Sequence, residues 1–193
     1  MSYCVLKNVS DTAAVAAQIG RPPRAEVNVQ ARCSLGLPMV TEVPPLLRGG
    51  VPFPTLYWLS CPLGVHRVST LEAKGGVRSY TEQLDRNPEL ADRMAEVHER
   101  YAQQRRRRLE VLVGSGAVDD GPRPTGGVGG SRGGVKCLHA HSADALSGNE
   151  NPIGQSVLDR VAPLSCDRPC VIQSDQGAMR NPDWSAGGAH EGV

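Results

Sequence analysis

The chain has 193 residues, a formal net charge of +1, 22 glycines, 15 prolines and 39% apolar residues. The length fits one domain, the near-neutral charge excludes a global attraction to nucleic acid or anionic membranes, and the glycine and proline content predicts a segment that does not pack. We find no signal-peptide pattern and no apolar run that could span a membrane, so we expect a cytoplasmic protein without membrane insertion. The six cysteines are too sparse for a disulfide framework, which leaves free thiols or metal ligands.

The first half of the chain predicts one helix followed by a small sheet. A capped apolar segment at 11–19 predicts a short helix that ends at Gly20. Alternation of apolar and polar residues at 26–31 predicts a strand, and 38–43 predicts a second one. The aromatic-rich segment 51–62 is typical of a central strand. We therefore expect a mostly antiparallel sheet of three strands between residues 25 and 61.

The second half predicts helices and one glycine-rich interruption. Helices are expected at 63–73, 76–84, 87–109, 135–146 and 151–161, with a flexible loop at 114–134. Residues 163–193 lose periodicity and are expected to form a poorly ordered tail. These elements predict an α+β fold in which four to five helices cover the sheet.

Four motifs are more specific than this general pattern. They are Arg32-Cys33 followed by Gly36-Leu37-Pro38, the segment FPTLYWLSCP at 53–62, VKCLHA at 135–140 and NPIG at 151–154. In this order and spacing the chain resembles the bacterial family catalogued as domain of unknown function five hundred and one, which is common in actinobacteria. The resemblance covers residues 11–162 and implies one family domain over that range. Family genes often lie near those for a septum-formation initiator and an exopolyphosphatase, which implies an envelope or polyphosphate connection. The third motif of the family continues with a second histidine at the position where this chain has Asp144.

The sharpest candidate site combines Cys33, Cys61, Cys137 and His139 as metal ligands. Thiolates and imidazoles are the ligands of structural zinc, and an iron–sulfur centre is a second cofactor option. Further ligands could come from Cys170, His141 and Asp144. The spacing lacks a paired Cys-x-x-Cys knuckle, so burial of Cys33 and Cys61 as small apolar residues is the competing interpretation.

A thiol-dependent enzyme is an alternative hypothesis. Cys137 would be the nucleophile, since a helix N-terminus favours thiolate, and His139 or His141 would be the base, oriented by Asp144.

The third hypothesis rests on the arginine run Arg105, Arg106, Arg107 and Arg108, which could bind the phosphates of RNA or polyphosphate without sequence preference. A solvated helix end is the favoured interpretation of the same run, because the net charge and the scarcity of aromatic residues do not support a nucleic-acid surface. The sequence as a whole favours a non-enzymatic interaction or regulatory protein that binds an unidentified protein partner and is stabilised by a Cys/His metal site.

Overall fold

The computed structural model describes residues 9–114, 116, 122–175 and 177–187. These residues form a mixed α+β fold, which confirms the predicted class, although six α-helices are present instead of four or five. The elements are α1 (Asp11–Ile19), β1 (Asn28–Arg32), β2 (Pro38–Glu42), β3 (Leu46–Leu47), β4 (Val51–Pro52), β5 (Tyr57–Leu59), α2 (Pro62–Ala73), α3 (Gly76–Arg86), α4 (Pro88–Gly114), α5 (Leu138–Leu146), α6 (Pro152–Val161), β6 (Val171–Ser174) and β7 (Gly177–Arg180).

The main sheet is antiparallel and has the order β1-β2-β5, so β2 is its central strand. The prediction of one long central strand at 51–62 was wrong. Its first residues form β4, which pairs with β3 in a separate hairpin, and only Tyr57–Leu59 join the main sheet, at its edge. Pro52 and Pro54 explain the division, because proline has no amide hydrogen to donate to a ladder.

Helix α5 lies at the centre of the packing, in contact with α2, α6 and β5. Leu138 and Ala143 of α5 are fully buried, together with Leu59, Leu63 and Val157 from the elements around it. The approach of α6 to α5 is close, since a Cβ added at Gly154 would lie 2.2 Å from the backbone oxygen of His141. The sequence between 137 and 146 is thereby held on several sides.

The glycine-rich segment was predicted to be a flexible loop, but its described residues 122–134 pack against α4. They contain one 3₁₀ turn at Val128–Gly130, and the Val128 side chain is buried. A Cβ at Gly127 would lie 2.3 Å from His98 Nδ1, so glycine is needed for this contact. Residues 115 and 117–121 lie outside the described part of the chain.

The segment after residue 163, for which a poorly ordered tail was predicted, contains the hairpin of β6 and β7. The hairpin packs on α1, where Arg180 donates to the backbone oxygen of Gln18 at 3.1 Å. Each strand has only four residues, which is too short for a clear alternating pattern. Residues 176 and 188–193 lie outside the description. None of the described helices has the length and apolar character that a membrane span requires.

Candidate metal centre

Cys137 and His139, two of the predicted ligands, lie close together at the start of α5. Cys137 precedes the helix as its N-cap, with an extended backbone (φ −153°, ψ 118°), and its side chain makes no capping hydrogen bond. Because Cys137 is outside the helix, it does not diverge from His139 by the roughly 200° that two helical positions would impose. The capping role is taken by Glu72 at the end of α2, whose Oε1 accepts a hydrogen bond of 2.6 Å from the backbone amide of Leu138.

Glu72, Cys137 and His139 form a compact group, which we call the donor group. Their ligand atoms all lie within 4.8 Å of one another. The Nδ1 atom of His139 is 3.2 Å from Glu72 Oε1 and 4.0 Å from Cys137 Sγ. The side chains of His139 and Glu72 are 23% and 26% exposed, so solvent and ions can reach the group.

The other ring nitrogen of His139 fixes its tautomer. Nε2 lies 3.3 Å from the backbone oxygen of Val65 and 3.1 Å from Ser69 Oγ. A carbonyl oxygen can only accept, so Nε2 carries the proton and Nδ1 of the neutral ring presents a lone pair toward the Glu72 carboxylate. Two acceptors that face each other repel unless a proton or a cation lies between them.

Protonation is one way to relieve this repulsion, and the pKa of His139 reflects it. Burial of the ring lowers the pKa, but the hydrogen bond with Cys137, the charges of Glu72 and Cys137 and the Val65 carbonyl outweigh burial. The net effect is a pKa above the ordinary value of 6.5. A metal ion would relieve the same repulsion without requiring a proton.

The chemistry of the donor group fits zinc. Zinc takes thiolate sulfur, imidazole nitrogen and carboxylate oxygen, and three protein ligands leave a fourth position for water or another group. Metal-bound histidines typically donate their second ring N–H to a carbonyl or carboxylate, as His139 does to Val65. In a thiol–histidine–carboxylate relay, by contrast, the thiol and the carboxylate lie at opposite ring nitrogens. Here both contact Nδ1.

The donor group contains two of the four ligands predicted from the sequence, and one that the prediction missed. Cys33 and Cys61 are not members of this group. Cys61 is buried just before α2, and burial raises the pKa of its thiol, as the competing interpretation expects for a small apolar residue. Glu72 was missed because only the tertiary contact of α2 with α5 brings it to Cys137. The five described cysteines are free thiols, in agreement with the expectation of no disulfide framework.

His141 and Asp144 lie on the inner side of α5, in what we call the buried network, with Arg100 and Asn151. Both carboxylate oxygens of Asp144 accept from Arg100, at 2.6 and 3.2 Å, and Oδ2 also accepts from Asn151 Nδ2 at 2.9 Å. Asn151 Oδ1 caps α6 through the amide of Gly154 and lies 3.2 Å from His141 Nδ1. Burial lowers the pKa of His141 to about 4. Asp144 therefore binds Arg100 instead of orienting a histidine base beside Cys137.

The arginine run does not form one surface. Arg105 is buried, and Arg106 and Arg108 contact carboxylates on different elements, Glu99 of α4 at 2.8 Å and Glu42 of β2 at 2.6 Å. Arg107 is exposed. The four side chains are therefore divided among the interior, two ion pairs and one exposed position, and they do not present a single phosphate-binding face.

The sequence comparisons agree with the motifs. The family model described as "Protein of unknown function (DUF501)" matches residues 29–159, which is more than half of the chain. No curated protein and no solved structure matches the chain significantly. The matched range includes the three residues of the donor group. The chain therefore belongs to the DUF501 family of proteins of unknown function.

Proposed function

We propose that this protein is a zinc-stabilised interaction protein in which Glu72, Cys137 and His139 hold one ion. The observation that carries the proposal is the position of the thiol and the carboxylate at the same nitrogen of His139, at 4.0 and 3.2 Å. That arrangement suits three ligands around one ion and does not suit proton relay from a thiol to a carboxylate.

The ion would join two elements that are otherwise connected by few polar contacts. Glu72 comes from the last turn of α2, while Cys137 and His139 begin α5. Apart from the contacts within the donor group and the hydrogen bond of the Leu138 amide to Glu72, the polar side-chain contacts between α2 and α5 in the described chain are those of His139 Nε2 with Ser69 and Val65. Because a site of this kind binds metal only when folded, its binding energy adds to the stability of the fold.

Metal analysis of the purified full-length protein tests the proposal. We expect about one zinc per chain, and a cobalt-substituted form should show the absorption of a thiolate-to-cobalt charge transfer. Cys137→Ser and Glu72→Gln should each lose the ion, and Cys137→Ser should also lose the absorption band.

Cys166→Ser and His66→Gln are matched controls, because they change a partly exposed cysteine and an exposed histidine outside the donor group. Both should retain metal. If the wild type neither contains zinc nor binds added cobalt, and Cys137 instead reacts with iodoacetamide much faster than Cys166, the thiol-enzyme hypothesis replaces this one.

A further inference from the structure

The glycine-rich segment and α4 enclose a cleft that is separate from the donor group. Its volume is about 760 Å³, within the range of small-molecule sites. His98 fastens the segment to α4, since its Nδ1 accepts from the amide of Val128 and its Nε2 donates to the oxygen of Gly134, both at 3.1 Å. These two hydrogen bonds hold the glycine-rich segment against α4 at the base of the cleft.

One wall of the cleft contains a buried positive charge. Arg105 lines the cleft and is only 3% exposed. Its guanidinium donates to the oxygens of Pro54 at 3.0 Å, of Gly127 at 3.4 Å and, in a short contact, of Gly126. Its remaining partner is the ring of Tyr101, 6.0 Å away.

All of these partners are neutral. Carbonyl oxygens accept from both terminal nitrogens of Arg105, but no carboxylate of the described residues forms an ion pair with its guanidinium. Buried charges in proteins are normally paired, because an uncompensated charge in a low-dielectric interior is costly. Arg105 is thus a buried cation with no carboxylate partner in the described part of the chain.

The residues on the rim of the cleft also carry net positive charge. Arg106, Arg123 and Arg132 also line it, against Glu99 and Glu110. Four arginines and two glutamates give the lining a formal charge of +2, while the whole chain has +1. One of the glutamates is already paired, since Glu99 Oε1 accepts from Arg106 at 2.8 Å. The described lining of the cleft therefore carries a net positive formal charge.

We infer that this cleft binds a small molecule that carries a chain of two or more phosphate groups. Guanidinium groups bind phosphate oxygens in pairs of parallel hydrogen bonds, so a multiply charged ligand can contact the arginines of the rim while the charge of the buried arginine attracts it from the wall. A cleft surrounded by arginines fits a compact ligand better than a nucleic-acid strand, for which the cations would follow a continuous groove. This inference does not depend on the zinc site.

Calorimetric titration with ATP and with inorganic tripolyphosphate tests the inference, in buffer that contains a chelator. We expect both probes to bind the wild type, with affinity that falls steeply as salt rises. The double variant Arg123→Ala/Arg132→Ala should bind at least about tenfold more weakly, because each lost charge-assisted hydrogen bond costs more than about 1.4 kcal/mol. Its rim positions leave Arg105 and the core unchanged.

Arg78→Ala/Arg86→Ala is the matched control, since both arginines are highly exposed on α3 and their loss changes the net charge equally. It should bind like the wild type. Equal affinity for the two probes would assign recognition to the phosphate chain, and tighter ATP binding would add a nucleoside contact. The inference is wrong if neither probe binds the wild type or if both double variants weaken binding equally. It is also wrong if the wild type binds RNA but neither ATP nor tripolyphosphate.

Discussion

His139 and His141 lie two residues apart on α5, yet their surroundings shift their pKa values in opposite directions. His139 belongs to the partly exposed donor group, where Cys137 and Glu72 raise its pKa above 6.5. His141 belongs to the buried network, where desolvation lowers its pKa to about 4. The first ring is therefore more readily protonated, and the second remains neutral at neutral pH.

The difference between these two regions lies in how their polar groups are satisfied. In the buried network the carboxylate of Asp144 meets donors from Arg100 and Asn151, so its charge is balanced internally, and the polar atom of the network that lacks a hydrogen bond is the neutral Nε2 of His141. In the donor group, Nδ1 of the neutral His139 ring and the Glu72 carboxylate are both acceptors. They need a proton or another cation between them. Local conflict of this kind is typical of functional sites, whereas mutual satisfaction is typical of structural ones. The same residue types therefore form an unbalanced group of acceptors at one side of α5 and a charge-balanced group at the other.

The largest effect on stability is expected from Asp144→Asn, which removes the charge that balances Arg100. Breaking a buried ion pair costs roughly 3–5 kcal/mol, and because Arg100 is 29% exposed we expect about 3 kcal/mol. Urea unfolding in the presence of a chelator measures the change. Asp92→Asn, an exposed position on α4, should change the free energy of unfolding by less than about 0.5 kcal/mol.

The zinc content of Asp144→Asn tests whether the donor group and the buried network are independent. At a temperature where Asp144→Asn remains folded, it should bind zinc as the wild type does, because the buried network contributes no ligand. Loss of zinc from the folded variant would contradict this prediction and would show that the donor group and the buried network form one site.

The second prediction concerns pH and uses the opposite shifts of the two histidines. The pKa of His141 is lower in the folded protein, about 4 against 6.5, so the unfolded state binds more protons at mildly acidic pH. Its contribution to stability is present above about pH 6.5 and is lost as the pH falls toward 4. We expect unfolding free energy to be about 2 kcal/mol lower at about pH 5 than at about pH 7.5 from this group alone.

His139 contributes with the opposite sign. Because its folded pKa is raised, its contribution is present below pH 6.5 and is lost as the pH rises through the folded pKa. In a pH series of urea unfolding with chelator, His141→Gln should therefore flatten the loss of stability in acid, and His139→Gln should steepen it. Identical slopes for the wild type and His141→Gln would contradict the prediction.

Local patterns predicted most of the secondary structure. The helices that begin with a capping residue or proline, such as α4 at Asn87-Pro88 and α6 at Asn151-Pro152, were located within a few residues, since caps and first-turn prolines act locally. The three-stranded sheet was also predicted correctly. The order of its strands was not, because pairing depends on which backbone amides are available across distant segments.

The candidate site was only half predictable. Cys137 and His139 stand out because they share one motif, but Glu72 precedes them by more than sixty residues and carries no local signal. The packing of the described part of the glycine-rich segment was not visible in the sequence for a related reason. Its composition is typical of linkers, whereas its packing depends on Arg105 and His98, which lie elsewhere in the chain. Contacts of this kind become visible only in three dimensions.

The smallest expected effect is that of Ser69→Ala, which tests how His139 is oriented. Loss of a partner that orients a metal-bound histidine typically lowers metal affinity by roughly 10- to 100-fold. Here the Val65 oxygen remains 3.3 Å from Nε2 and can keep the ring N–H in place. We therefore expect zinc affinity, measured by competition with a chromophoric chelator, to fall by no more than about threefold. A fall of more than about tenfold would mean that Ser69, not the carbonyl, fixes the ring. Since a hydroxyl can donate as well as accept, Nδ1 could then carry the proton, and the conflict between Nδ1 and Glu72 that supports the zinc site would disappear.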